Sequence, residues 1–166
     1  AGELLKGKNK KNVDLVTSVA HVYLDAGKIT EAQEYLAMAK KANNKDPKVS
    51  VLEGDIALAQ KNIGQACQLY EQAIYFDPNC KEAYLKYAQA YKSASPTQAI
   101  EKLEQLKAVD PNCLEADREL AEVYYSGNRF GKAAEMYAKF IDTPLATEDD
   151  MLKYAFALFL NHDFEK

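Results

Sequence analysis

Apolar residues recur along this chain at i, i+3 or i+4 and i+7, with no sustained alternation, and that spacing predicts α-helices throughout. The stretch 82–91 places Tyr84, Tyr87, Ala88 and Tyr91 on one stripe, and 98–106 places Ala99, Leu103 and Leu106 on another. Between them, Ser95-Pro96-Thr97-Gln98 predicts a helix start: a capping serine, a proline at the first helical position and a glutamine three residues on. The pattern also repeats. Polar turns at Gly27-Lys28, Lys61-Asn62 and Asn128-Arg129 are each followed by an apolar residue, two more residues and an alanine. With Ala99 included, the alanines stand at 32, 66, 99 and 133, in steps of 34, 33 and 34. Four residues beyond each lies Leu36, Tyr70, Leu103 or Tyr137, and three further on Ala39, Ala73, Leu106 or Phe140. Asp77-Pro78-Asn79-Cys80 recurs as Asp110-Pro111-Asn112-Cys113. A fixed period of this size predicts a solenoid of stacked helix pairs. The alanines have a physical reason, because two helices of a hairpin approach closely only where a small side chain faces the partner backbone.

In this pattern the chain resembles the tetratricopeptide repeat family. Ala20, Tyr23, Gly27, Ala32 and Leu36 carry the match in 13–46; Gly54, Ala66, Tyr70 and Pro78 in 47–80. Tyr84, Ala88, Tyr91, Ala99 and Pro111 carry it in 81–113, and Leu120, Ala121, Tyr124, Ala133 and Tyr137 in 114–146. A fifth unit opens at 147–166 with Thr147 and three acids suited to a helix N-terminus. It stops one residue before its own alanine would be due, as in an excerpt from a longer array. The first twelve residues, with Lys6, Lys8, Lys10 and Lys11 against Glu3, read as a linker or the tail of an earlier unit. The resemblance implies an all-α, right-handed superhelix of antiparallel helix pairs forming one continuous solenoid domain. Departures are also visible. The family tryptophan is absent, and Glu53 stands where leucine is usual, so the first helix of 47–80 is expected to pack loosely or turn outward there. The third unit lacks one turn residue, and the fourth lacks Asp-Pro, so its second helix should end differently.

Composition narrows the function. With 166 residues, 48% hydrophobic, 28% charged and a net charge of -4, the chain is globular, and it lacks the Lys/Arg surplus that grips nucleic acid. Its longest apolar run, 154–160, is far shorter than the roughly 20 residues of a membrane span. The three cysteines, Cys67, Cys80 and Cys113, form no Cys-x-x-Cys pair and point to free thiols and a reducing compartment. Only two histidines occur, so neither a metal nor another cofactor is expected. His21 is read as a residue facing outward from a helix, and His162-Asp163 as a solvent-exposed turn. The eleven tyrosines fall mostly on packing stripes and not on a base-stacking surface. There is no Gly-rich phosphate loop, Gly-x-Ser-x-Gly or His-Glu-x-x-His motif, so catalysis is not expected.

The family resemblance instead implies a protein-protein interaction scaffold, its partner peptide or helix held in a concave groove lined by the first helix of each repeat. The matching positions are Thr17, His21 and Leu24; Val51, Asp55 and Leu58; Leu85, Gln89 and Lys92; Arg118, Glu122 and Tyr125; and Phe156 and Phe159. One family subtype clamps a C-terminal carboxylate with Lys and Asn there. Thr17, His21, Val51 and Asp55 do not supply that clamp, and Asp55 would repel the ligand. Arg118 and Lys92 beside Glu119 and Glu122 suggest a partner with both charged and apolar groups. Two other readings stand beside this one: a recruiting part of a larger enzyme, and a self-assembly module pairing through the cut fifth repeat.

Overall fold

The computed structural model describes residues 12–164. Most of the stretch 1–12 therefore lies outside the described residues. Among the described residues the chain is all-α: α1 (Val13–Asp25), α2 (Ile29–Asn43), α3 (Pro47–Ala59), α4 (Ile63–Phe76), α5 (Lys81–Tyr91), α6 (Pro96–Val109), α7 (Leu114–Ser126), α8 (Phe130–Tyr137) and α9 (Glu148–Phe164). Among these residues no helix is long and apolar enough to cross a membrane. The chain divides into two compact units, Ala1–Ala90 and Tyr91–Lys166.

In the first unit, α1 and α2 pack as one hairpin and α3 and α4 as a second, with α3 also set against α1 and α2. Val16, Val19 and Ala20 of α1, Ala32, Leu36 and Ala39 of α2, and Val49, Leu52 and Ile56 of α3 share one core. In the second unit, α7 packs on both α6 and α8, and α9 on α8. There Leu103, Leu106, Leu120, Tyr137 and Phe140 are buried. All four periodic alanines, Ala32, Ala66, Ala99 and Ala133, are fully enclosed. A larger group at such a position must push the helices apart. Ala66→Leu should therefore cost about 1–3 kcal/mol through overpacking, read as a lower urea midpoint.

The turns explain where the hairpins close. After α1, α3 and α7 the chain makes the same two bonds: Lys28, Asn62 and Arg129 N–H donate to Tyr23, Ala57 and Tyr124, while Gly27, Lys61 and Asn128 N–H donate to Leu24, Leu58 and Tyr125. This Schellman-type closure needs one left-handed residue, and Gly27 (φ 72), Lys61 (φ 64) and Asn128 (φ 57) supply it. The third repeat, one turn residue shorter, has no positive φ between α5 and α6. Ser95 does precede α6, with Pro96 in its first turn, but its side chain makes no capping bond; the cap rests on backbone geometry alone. Asp46 caps α3 through Lys48 N–H, so Pro47 opens that helix, whereas Pro78 and Pro111 sit in turns ahead of α5 and α7. In both of those turns the aspartate side chain accepts from the asparagine N–H two residues on.

Three expectations change. First, α3 is not loosely packed: it buries eight of its thirteen residues, and Glu53 is half-buried against Lys40 of α2 at 2.6 Å. Second, the position of the missing tryptophan is filled in two repeats by polar groups, Ser50 and Asp117, each given partners by neighbouring segments. Ser50 donates to Gln72, and buried Asp117 accepts from Lys107 and Lys139. Third, α9 runs on to Phe164, so residues 162 and 163 are helical and not in a turn. As expected, the fourth repeat's second helix ends differently: α8 has eight residues against fourteen in α4 and α6, yet Phe140 beyond it remains buried.

Candidate functional site

In the first unit, α1, α3 and α5 each bring one turn of groove positions forward. Thr17 (4% exposed) and Val51 (1% exposed) form the floor of a cleft of about 190 Å³ and are closed in, not presented outward. The Thr17 hydroxyl is spent on the Val13 carbonyl at 2.9 Å. His21 stands between this cleft and a second, of about 320 Å³, that holds Leu24, Leu58, Asp55 and Lys86. Leu24 and Leu85 are half-buried, and Leu58 and Gln89 are exposed.

Asp55 is also buried and cannot face a partner freely. One of its oxygens, Oδ1, accepts the Tyr70 hydroxyl at 2.7 Å. The other, Oδ2, lies 2.8 Å from Lys86 Nζ and 3.6 Å from His21 Nδ1. Burial, and then the Asp55 charge, push the Tyr70 hydroxyl far above its ordinary range, so it stays a donor.

The second unit repeats the device. Tyr137 donates to Glu122 at 2.8 Å, and Lys153 reaches both Glu122 oxygens at 2.9 and 3.0 Å. Asp55, Tyr70 and Lys86 map onto Glu122, Tyr137 and Lys153 with the same offset of 67 residues, two repeats. Arg118 is likewise engaged, with Nε 3.2 Å from Asp150 Oδ1 and a terminal nitrogen 3.0 Å from Oδ2. Asp150 also accepts the Thr147 N–H and hydroxyl, closing a reciprocal cap on α9. Burial opposes its charge, but the bonds from Thr147 and Arg118 outweigh that and hold the carboxyl below its usual range. Burial would likewise discharge Lys153, yet Asp149 and Glu122 hold its ammonium above the ordinary lysine range.

Arg118 and Glu122 therefore tie α7 to α9, and they no longer argue for a charged partner. Tyr125 is half-buried, edge-on to Phe130 at 5.7 Å and to Tyr137 at 6.5 Å. Lys92 is exposed. Apart from Lys92, the groove positions left open in this unit are apolar: Phe156 (56%) and Phe159 (63%), beside Leu152 (60%) on one face of α9. Lys86, Lys153 and Asp117 were not among the residues singled out from sequence, and Asp150 was read only as an acid at a helix N-terminus. The 67-residue offset was the available signal for the first two. Asp117 gave none, because it is recognisable only by its partners.

Helix pairs in phase, three of them closed by the same turn, define a helical-repeat protein. The family model for the tetratricopeptide repeat matches residues 20–79 and 89–146, and the chain belongs to that family. Its members typically act as non-enzymatic scaffolds that bind protein or peptide partners. No curated protein sequence matches the chain. Among solved structures, TTC0263, a thermophilic TPR protein of Thermus thermophilus, is 20% identical with TM-score 0.77, over 95% of this chain and 87% of its own. The pilF protein of Pseudomonas aeruginosa is 16% identical with TM-score 0.80, over 95% and 72%. YrrB, described as a TPR protein with an unusual peptide-binding site, is 12% identical with TM-score 0.67, over 97% and 83%. At these identities the likeness concerns the fold alone.

Proposed function

We propose that this chain is a non-catalytic scaffold that holds a partner peptide or helix on the faces of its first helices. In the first unit the contact centres on Leu24 and Leu58, and in the second on Phe156 and Phe159. One observation carries this reading. The charges of Asp55, Lys86, Arg118, Glu122 and Lys153 are engaged in ion pairs between successive first helices, so apolar side chains make up much of what those faces still offer water. YrrB, a protein of the same fold described as having a peptide-binding site, supports it.

The test uses a peptide selected from a random library on the intact protein. Leu58→Asp and Phe159→Asp should each weaken its binding by more than about tenfold, or 1.4 kcal/mol. Helicity should stay near wild type in both; the melting temperature should hold for Phe159→Asp, at a residue 63% exposed, and fall modestly for Leu58→Asp, at a residue 36% exposed. Tyr125→Asp is the poorer probe, because it breaks an aromatic cluster. Unchanged binding in both aspartate variants would overturn the proposal. The bare face of α9 favours one further reading, self-association, which sedimentation at several concentrations separates from a monomeric binder.

A further inference from the structure

We propose that His21, Asp55 and Glu82 form a binding site for a divalent transition metal of the zinc type. They come from α1, α3 and α5, the first helices of three consecutive repeats, and one ligand atom from each lies within 4.8 Å of the others. One imidazole and two carboxylates are a donor set that zinc accepts, and three protein ligands leave a fourth position open. Ligand atoms about 2.0–2.2 Å from a tetrahedral ion stand roughly 3.3–3.6 Å from one another. The 3.6 Å between His21 Nδ1 and Asp55 Oδ2 already meets that. Glu82 is exposed and free to rotate inward.

A second observation points the same way. Asp55 Oδ2 is buried yet receives no hydrogen bond. Such an oxygen is costly unless something directional satisfies it. Its close neighbour is the Lys86 ammonium, near enough for charge but poorly aligned to donate, which also lies 3.9 Å from Glu82 Oε1. A cation thus already sits among two of the three ligands. Lys86 is partly exposed on a flexible stem and can swing into water. A dication taking its place would gain the imidazole, supply Oδ2 with a directed bond and staple three helices together.

The experiment is a titration of the purified intact protein with zinc alone, followed by calorimetry and thermal melting, and with cobalt(II) followed by absorption. One equivalent should bind and raise the melting temperature. His21→Ala should abolish that equivalent. Lys86→Met removes a competing unit charge about 4 Å from the ion, so it should tighten binding by about tenfold. It strips Asp55 of its counter-charge and lowers stability without metal, and zinc should restore the melting point. Undiminished binding in His21→Ala, no tightening in Lys86→Met, or a thiolate-to-cobalt band placing the metal on Cys67, Cys80 or Cys113 would each overturn the proposal.

Discussion

Gly54→Val should lower the stability of the first unit by at least about 3 kcal/mol, the upper end of overpacking effects. A side-chain carbon at this position would stand 2.5 Å from Tyr70 Cε1 and 2.8 Å from Cδ1, inside any tolerable contact. The Tyr70 ring has nowhere to retreat: it is fully buried, and its hydroxyl is fastened to Asp55. Gly54→Ala meets the same wall with fewer atoms. Removing a helix-interior glycine returns about 0.5–1 kcal/mol, so its net loss should be the smaller of the two. Urea unfolding followed by circular dichroism measures both. A loss below about 1 kcal/mol for the valine variant would show that the ring has another place to go.

The same pair of residues shows what could be read from the sequence and what could not. The repeat was legible because its constraint is local and unforgiving. A hairpin admits only a small residue at 32, 66, 99 and 133, and a helix admits only certain spacings. The first helices and their groove positions followed from that phase. Which of those positions are open was not legible. Asp55, Arg118 and Glu122 look like solvent-facing charges until helices one repeat further on deliver Lys86, Asp150 and Lys153. Those partners stand about one repeat away in sequence and meet only when the hairpins stack. Thr17 and Val51 are buried for a related reason, since a cleft has a floor as well as walls. The turn at Lys61-Asn62 was legible but its left-handed residue was not, because that backbone is looked for at glycine, although the closure between α3 and α4 imposes it on a lysine. His21, Asp55 and Glu82 form no short motif, being roughly a repeat apart, so the expectation that no metal is bound rested on spacing that stacking removes.

Tyr70→Ala should cost about 3–5 kcal/mol, the range for deleting a fully buried aromatic side chain. Two contributions add there and can be separated. The ring leaves a cavity between α3 and α4, and the lost hydroxyl strands Asp55 Oδ1. Tyr70→Phe isolates the second, at about 1–3 kcal/mol, because Asp55 is buried and its other oxygen already lacks a directed donor. Tyr137→Phe removes the equivalent hydroxyl 67 residues later and should cost less, about 1 kcal/mol or below. There Glu122 is only half-buried and keeps both bonds from Lys153. Paired denaturation of the two phenylalanine variants therefore measures what burial of the acid and its bonds from lysine together contribute, for the same tyrosine donor. Equal losses would mean that neither burial of the acid nor its lysine bonds set the cost of losing the hydroxyl.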